Sequence, residues 1–289
     1  AGKPFFTWFN TTRMHNKTHL KDASIGATGL GTYADGMVEH DKTVGEVLKK
    51  IKDLGIEDNT IVIYTTDNGP MTATWPDGGE TPFRGEKNTG WEGGFRVPAM
   101  IKWPNHIKPG TVINDMFASY DWFPTLAAAA GDAGIKQELL KGYKTPSITY
   151  KVHLDGYNQL DFLQGKAKDQ RNEFFYWSDD GDLLAMRQGR WKIHFMIQEH
   201  TGLDLWRYPF TKLRTPLIFD LEADPLEKGT DGMGYDSWFY DRLFLLGGAQ
   251  KSAKDMLATF KEFPPRQKPG SFTVSDVGAM LEQGANANK

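Results

Sequence analysis

The residues best suited to chemistry form two short groups in the first third of the chain. Asp67 and Asn68 directly follow an apolar run, 61–66, that is typical of a strand buried on both faces of a parallel sheet. Ligands gather at the carboxyl ends of such strands, and a carboxylate with an amide oxygen suits Ca²⁺ or Mg²⁺. Lys87 lies in a glycine-rich segment, 85–95, which we call the lysine loop. Metal oxygens and a fixed positive charge together predict a site for a multiply charged oxyanion.

Two histidines and an arginine are further candidates for this site. His15 lies in the loop after a predicted first strand, on the same side as Asp67 if the strands are parallel. A histidine there would hydrogen-bond an anionic substrate or act as a general acid. His19, in the same loop, is more simply interpreted as an exposed side chain. Arg84, beside the lysine loop, is a further candidate anion contact.

The remaining charged groups are better explained by structure than by chemistry. Glu92 and Arg96 are expected to pair with each other or with neighbours. Three aspartates within 179–182 surround a glycine, but the further ligands and terminal glutamate of an EF-hand loop are missing. A polar hairpin turn is therefore the expected structure at 179–182.

An α/β unit is predicted to position Asp67 and Asn68. Apolar residues at helical spacing from Val44 to Leu54 predict a helix that ends at Gly55. Thr43 and Glu46 have the spacing of a capping box, although apolar residues further upstream leave an earlier start open. The helix, its turn and the strand before Asp67 form the predicted unit.

Further along the chain, the sequence pattern changes to one that is typical of short strands. The predicted elements are an aromatic strand at 4–9, a strand at 96–103, a helix at 121–130, a loop-like stretch at 132–172, antiparallel strands at 173–177, 183–187, 191–197 and 217–221, and a helical segment at 237–263 broken at Gly247-Gly248. Gly181 and Gly189 mark turns of the strand region. We therefore expect two units, 1–150 and 151–289, with a surface tail from Pro264.

Composition excludes several classes of protein. The 289 residues are 39% hydrophobic and 25% charged, which is typical of a globular protein. A net charge of −3 gives no electrostatic footprint for nucleic acid, and no apolar stretch is long enough to span a bilayer. Cysteine is absent, which excludes disulfides, thiolate metal sites and a cysteine nucleophile from these residues. The first residues do not have the pattern of a signal peptide.

Taken in order, these motifs resemble those of the sulfatase family, which includes the arylsulfatases and belongs to the alkaline-phosphatase-like superfamily. The similar segments are 3–6 with His15, 66–69, 85–87 with 91–98, 121–126, 187–193, and 217–221 with 224–225. The resemblance therefore extends over most of the chain, from residue 3 to about residue 226.

The resemblance implies a fold, a reaction and a set of site residues. The fold would be an alkaline-phosphatase-like mixed sheet flanked by helices, with a smaller C-terminal antiparallel sheet. The reaction would be hydrolysis of a sulfate ester, borne by an aryl group or a carbohydrate. Asp67 and Asn68 would bind Ca²⁺, with Mg²⁺ as an alternative, while His15 and Lys87 would bind the sulfate and assist departure of the leaving oxygen. A periplasmic or secreted location is also implied.

One departure from the family pattern is large. Sulfatases carry their nucleophile, a formylglycine made from Cys or Ser, in an N-terminal Cys/Ser-x-Pro-x-Arg signature, which does not occur in these residues. We therefore expect the nucleophile in an N-terminal segment absent from this chain, or in a separate polypeptide. Residues 1–150 would then be the C-terminal part of the catalytic domain, with negligible turnover alone. Phosphate or phosphonate monoester hydrolysis, and a non-catalytic calcium- or anion-binding remnant, stay open as alternatives.

Overall fold

The computed structural model describes residues 2–266 and 270, and this part of the chain contains both α-helices and antiparallel strands. The helices are α1 (Thr32–Asp53), α2 (Glu92–Phe95), α3 (Trp122–Ala129), α4 (Ile135–Lys141), α5 (Leu160–Leu163), α6 (Tyr235–Tyr240) and α7 (Phe244–Thr259). The strands are β1 (Val62–Thr65), β2 (Ala99–Lys102), β3 (Tyr143–Lys144), β4 (Thr149–Tyr150), β5 (Glu173–Trp177), β6 (Leu183–Gln188), β7 (Trp191–Ile197) and β8 (Thr211–Asp220). The predicted α/β class is confirmed.

Helix α1 confirms the predicted helix but starts earlier than the capping box indicates. It begins at Thr32, so Thr43 lies inside the helix and its hydroxyl donates to a carbonyl of the preceding turn at 3.2 Å. Of the two starts left open by the sequence, the earlier one is therefore found, and Thr43 and Glu46 do not cap the helix. The predicted end is confirmed, since Gly55 has a positive φ of 66°.

Strands β1 and β2 form a two-stranded antiparallel sheet beside the candidate site. Val62 lies opposite Lys102, and Thr65 lies opposite Ala99. Within residues 2–266, β1 has no second partner and its side chains are only partly covered, which differs from the predicted burial in a parallel sheet. Strand β2 is also shorter than predicted, because it begins only at Ala99 and residues 96–98 belong to no helix or strand.

The aromatic segment 4–9 is not a strand, contrary to the prediction. All six residues are exposed, and Trp8 has 80% of its surface accessible. A strand requires a hydrogen-bonded neighbour, and no strand of the described chain pairs with this segment. The local β propensity of these residues is therefore not sufficient to form a strand here.

The C-terminal antiparallel sheet is confirmed. Strands β5 to β8 pair in sequence order, and Gly181 and Gly189 form the turns with positive φ values of 85° and 57°. The polar hairpin predicted at 179–182 is also found, since the amide of Ser178 donates to the carbonyl of Asp182 at 2.9 Å. Alternation along the strands gives this sheet two distinct faces.

One face of this sheet packs on α7 and the other on the lysine loop. The apolar face contributes Phe175, Met186, Ile193 and Ile218 to a core cluster with Ala249 of α7. The opposite face includes polar side chains of β7 and lies against the loop that contains the candidate lysine. The C-terminal sheet thus supports the candidate site directly.

Other predicted elements are partly confirmed. Helix α3 matches the helix predicted at 121–130 and is followed by Gly131, with a φ of 102°. The stretch 132–172, predicted as loop-like, contains α4, α5 and the β3–β4 hairpin. The C-terminal helical break lies between α6 and α7, whereas Gly247-Gly248 lies inside α7, where packing on the sheet overrides glycine's low helix propensity.

Several predictions concern features that the structure does not test. The surface tail from Pro264 lies largely outside the described residues, and the division near residue 150 stays a prediction. No helix in the described chain combines the length and apolar character that crossing a membrane requires.

Candidate active site

Backbone hydrogen bonds join the segment containing Asp67 and Asn68 to the lysine loop. The amide of Lys87 donates to the carbonyl of Pro70 at 2.8 Å. The amide of Gly69 donates to the carbonyl of residue 94 at 3.0 Å. A side chain at Gly69 could not be accommodated, since its Cβ would lie 1.7 Å from the carbonyl oxygen of residue 93. The structure therefore brings the two predicted groups together through their backbones.

The loop that contains His15 lies in the same region, but a side-chain hydrogen bond holds it there and not the predicted strand at 4–9. Trp75, in the turn after the Asp67 segment, donates its Nε1 hydrogen to the carbonyl of Met14 at 2.9 Å. His15 itself is exposed, and within the described part of the chain its imidazole has no hydrogen-bond partner. The structure brings its loop to this region, and the predicted role of the His15 side chain stays a prediction.

A buried carboxylate of α1 anchors the His15 loop. Glu39 forms an ion pair with Arg13 and accepts a hydrogen bond from the amide of Lys21 at 3.1 Å. The hydrogen bonds from Arg13 are the largest cause that lowers the pKa of Glu39 to about 2. His19 is exposed in the same loop, which agrees with its simpler interpretation.

The side chains of Asp67 and Asn68 provide oxygen atoms suited to a hard cation. Asp67 Oδ1 accepts the amide of Asn68 at 3.0 Å, and Asn68 Nδ2 donates to the carbonyl of Gly69 at 2.8 Å. Among the described residues, Asp67 Oδ2 and Asn68 Oδ1 accept no hydrogen bond, so both can bind a cation. Ca²⁺ takes about six to eight oxygen ligands. The described chain holds no cluster of three or more His, Asp or Glu side chains suited to a metal, so the donors fit in type and supply part of the set.

Lys87 is held by its backbone and by the residue before it. The carboxylate of Glu86 is buried and accepts hydrogen bonds from the amide of Thr72 at 2.9 Å and the amide of Gly202 at 3.1 Å. Lys87 is partly buried, and its ammonium has no carboxylate partner in the described ranges. The loop therefore presents one positive charge that no carboxylate of the described residues pairs with.

Glu92 pairs with neighbouring groups and not with Arg96, which is the second of the two alternatives expected from the sequence. Its carboxylate is buried, lies 3.0 Å from Lys192 Nζ and accepts the hydroxyl hydrogen of Tyr176 at 2.6 Å. The Arg96 guanidinium instead lies 4.4 Å from the ring centroid of Phe83. Glu92 thus binds the lysine loop to the C-terminal sheet.

A second buried carboxylate completes this arrangement, and we call Glu92, Lys192, His194 and Glu227 the buried charge cluster. Glu227 Oε1 lies 3.0 Å from Lys192 Nζ and 2.7 Å from His194 Nε2. Its Oε2 accepts the amide hydrogen of Glu92 at 2.6 Å. All four side chains are at most 3% exposed. The cluster thus contains two carboxylates, one ammonium and one imidazole away from water.

Burial and charge have opposite effects on the pKa values in the cluster. Burial raises the pKa of Glu227, but the charge of Lys192 and the hydrogen bond with His194 outweigh it and lower the pKa to about 2. Burial lowers the pKa of His194 to about 4, against the hydrogen bond with Glu227, which raises it. The imidazole is therefore neutral at pH 7, and Lys192 supplies the positive charge.

Arg84, a candidate anion contact, also makes structural contacts. Its guanidinium lies 3.8 Å from the ring centroid of Trp91 and donates to the carbonyl of Glu227 at 2.8 Å. Trp91 in turn packs against His194, with ring centroids 4.3 Å apart. These contacts use the arginine to fasten the lysine loop to the C-terminal part of the chain.

Sequence patterns alone do not reveal the buried charge cluster. The available signal was weak: Lys192 and His194 occupy alternate positions in the otherwise apolar strand β7. Such alternation is equally typical of a strand with one face in water. Only the contacts with the lysine loop distinguish the two cases.

Known proteins are similar in sequence to most of this chain. The family model described as Sulfatase matches residues 1–132, and the model of the C-terminal region of aryl-sulfatase matches residues 169–230. Arylsulfatase A of Homo sapiens is 32% identical over 272 residues, which cover 90% of this chain and 48% of that protein. N-acetylgalactosamine-6-sulfatase of Homo sapiens is 32% identical over 246 residues, which cover 78% of this chain and 44% of that protein.

A solved structure agrees with these sequence matches. The PsFucS1 sulfatase from Pseudoalteromonas sp. superposes with a TM-score of 0.72 at 32% identity, covering 87% of this chain and 48% of that one. The chain thus spans about half the length of the curated relatives it matches.

Proposed function

This chain belongs to the sulfatase family, and we propose that it supplies part of the active site of a sulfuric ester hydrolase. The observation that supports this role is the hydrogen bond from the amide of Lys87 to the carbonyl of Pro70. This bond joins the backbone of Lys87, whose ammonium has no carboxylate partner among the described residues, to the segment that contains Asp67 and Asn68. The proposed substrates are aryl or carbohydrate sulfates, in keeping with the names of the two human relatives.

In this proposal, Lys87 binds the non-bridging oxygens of the sulfate ester. A fixed ammonium there stabilises the charge that develops as the S–O bond breaks, because the loop is already in place before reaction. His15 binds the same group and donates a proton to the leaving oxygen. Asp67 and Asn68 would hold a cation, Ca²⁺ or alternatively Mg²⁺, which when bound withdraws charge from the sulfate oxygens.

We also propose that the nucleophile, a formylglycine, lies outside these 289 residues. This part of the proposal is supported by the lack of cysteine and of the Cys/Ser-x-Pro-x-Arg signature. It is also supported by the share of the relatives that the chain covers. The N-terminal segment that contributes the nucleophile would be covalently joined or a separate chain. A periplasmic or secreted location completes the proposal and rests on family resemblance.

The test compares hydrolysis of 4-nitrophenyl sulfate and 4-nitrophenyl phosphate by the full-length protein. We expect faster hydrolysis of the sulfate, and a loss of about 100-fold in kcat/KM for Lys87→Ala, the size typical of removing one preorganised charge-stabilising donor. Lys108→Ala is the matched control, because Lys108 is exposed and has no ion-pair partner in the described chain. Faster hydrolysis of the phosphate would overturn the sulfatase assignment. Turnover by the pure 289-residue chain would refute the external nucleophile.

A further inference from the structure

We propose that the buried charge cluster positions the lysine loop for sulfate binding. Glu92 and Glu227, held by Lys192 and His194, would be positioning residues that act on Lys87 through the backbone of the loop. This inference rests on the proposed function, because it assigns the cluster a part in the same site. It adds to the proposed site four residues that do not themselves contact the sulfate ester.

The burial of these charges indicates a specific geometric role. Lys192, His194 and Glu227 are fully buried, and Glu92 is 3% exposed. Charges removed from water lose hydration that their mutual attraction only partly restores, so a well-packed apolar set would hold the sheet and loop together at least as well. Buried polar groups differ from an apolar contact in requiring one relative position, because displaced partners leave unpaired charges.

The distances show how tightly that position is defined. Lys192 Nζ lies 3.0 Å from both Glu92 Oε1 and Glu227 Oε1. Glu227 binds the loop a second time, since its Oε2 accepts the amide hydrogen of Glu92 at 2.6 Å. Lys192 of β7 therefore fixes the side chain of Glu92, and Glu227 fixes its backbone.

Glu92 is connected to the rest of the site through the next two residues. The amide of Gly93 donates to the carbonyl of Arg84 at 2.7 Å, which closes the base of the loop. The carbonyl of Gly94 accepts the amide hydrogen of Gly69, next to the metal-binding candidates, at 3.0 Å. Added side-chain atoms at either glycine would meet backbone oxygens within 2.7 Å, so these connections are close-packed. A displacement of Glu92 would therefore shift the lysine and the oxygen donors relative to each other.

Another buried ion pair provides a matched control. Asp121 accepts hydrogen bonds from Arg171 Nε at 2.8 Å and Nη2 at 2.5 Å, and both side chains are buried. Neither residue forms a hydrogen bond or ion pair with the lysine loop within the described ranges. Asp121→Asn thus removes a comparable buried charge without acting on the loop directly.

The test places Glu92→Gln in the full-length enzyme, alone and combined with Lys87→Ala. Glutamine keeps the shape of the side chain and removes its charge. With Lys87 present, we expect kcat/KM for 4-nitrophenyl sulfate to fall about 10- to 100-fold, the scale for a misplaced site group. With Lys87→Ala, the further loss should be less than about threefold, because the two residues act as one unit. Asp121→Asn should give the same factor in both backgrounds.

Equal losses for Glu92→Gln in both backgrounds, or no loss in either, would overturn the proposal. If Glu92→Gln does not fold, Glu227→Gln replaces it, because glutamine keeps the shape of the side chain and removes the charge that Lys192 pairs with. The expected result and the two results that would overturn the proposal are the same for that variant.

Hydrogen exchange separates failure of this inference from failure of the proposed function. We expect faster amide exchange in residues 85–95 for Glu92→Gln, with unchanged exchange there for Asp121→Asn. If the unmodified enzyme does not hydrolyse the sulfate ester, the proposed function fails, and the exchange result then decides only whether the buried charge cluster positions the lysine loop. Unchanged exchange in the lysine loop of Glu92→Gln would overturn the positioning role of the buried charge cluster itself.

Discussion

Replacing Lys192 with methionine should strongly destabilise the protein. Its Nζ lies 3.0 Å from both Glu92 Oε1 and Glu227 Oε1, and all three side chains are buried. Methionine retains much of the volume of lysine but removes the ammonium that both carboxylates share, and it leaves Glu92 only the more distant Arg187 Nη1 at 3.8 Å. Removing one partner of a buried ion pair typically costs about 3–5 kcal/mol.

The pKa of Glu227 gives a similar magnitude. Burial raises it, but Lys192 and His194 together lower it from 4.5 to about 2. At about 1.4 kcal/mol for each tenfold change in proton affinity, this corresponds to about 3 kcal/mol. Because the folded-state pKa is the lower one, this stabilisation is present above pH 4.5 and is lost as the pH falls toward 2. Measurements at pH 7 therefore detect the full effect.

The assay is urea unfolding at pH 7, followed by tryptophan fluorescence. With a slope of about 3 kcal/mol per molar urea, a loss of 3–5 kcal/mol lowers the midpoint by roughly 1–1.7 M. Lys102→Met is the matched control, because Lys102 pairs with Glu57 at the surface. An exposed pair of this kind contributes less than about 1 kcal/mol.

A double variant tests the reasoning further. Lys192→Met with Glu92→Gln leaves only one buried carboxylate, Glu227, beside His194, which can then become protonated. The double variant should therefore be less destabilised than the sum of the two single variants. A loss below about 1 kcal/mol for Lys192→Met, or strictly additive losses, would show that Lys192 does not neutralise these carboxylates.

Three further predictions follow from contacts in the same region. Because burial lowers the pKa of His194 from 6.5 to about 4, the unfolded chain binds the proton first, so stability should fall between pH 6.5 and 4. Melting temperatures across this range should show a smaller fall for His194→Gln. Gly69→Ala should destabilise the fold in urea, since its Cβ would lie 1.7 Å from a carbonyl oxygen, whereas Gly45→Ala, an open helical position, should stabilise it by about 0.5–1 kcal/mol. Calcium should raise the melting temperature relative to a chelator, and Asp67→Ala should abolish that rise; an equal rise in both proteins would contradict the metal assignment.

The C-terminal sheet could be predicted because its signals are local. Each strand is a short run of β-forming residues, and Gly181 and Gly189 have the positive φ values that their turns require. The end of α1 at Gly55 was predictable for the same reason. The start of α1 was not, because the capping pattern at Thr43 occurs inside a longer helix and a local pattern does not exclude continuation.

The structure of segment 4–9, in contrast, could not be predicted from local signals. Its aromatic residues have high β propensity, but propensity alone does not form a strand without a hydrogen-bonded neighbour. The described chain provides none, and the segment is exposed. Pairing is a property of two segments, so it cannot be read from either one.

The sequence by itself determined the identity and order of the site motifs. Asp67, Asn68 and Lys87 stand in segments whose spacing and glycine content are visible in the chain, and the structure joins those segments through backbone hydrogen bonds.

Only the tertiary structure decided the environment of Lys192 and His194. In sequence they are polar residues at alternate positions of a strand, which is the pattern of a face exposed to water. Glu92 lies 100 residues from Lys192 along the chain, and its carboxylate reaches the ammonium only after the loop packs on the sheet. Burial and ion pairing depend on which distant surfaces meet, and local sequence patterns do not contain that information.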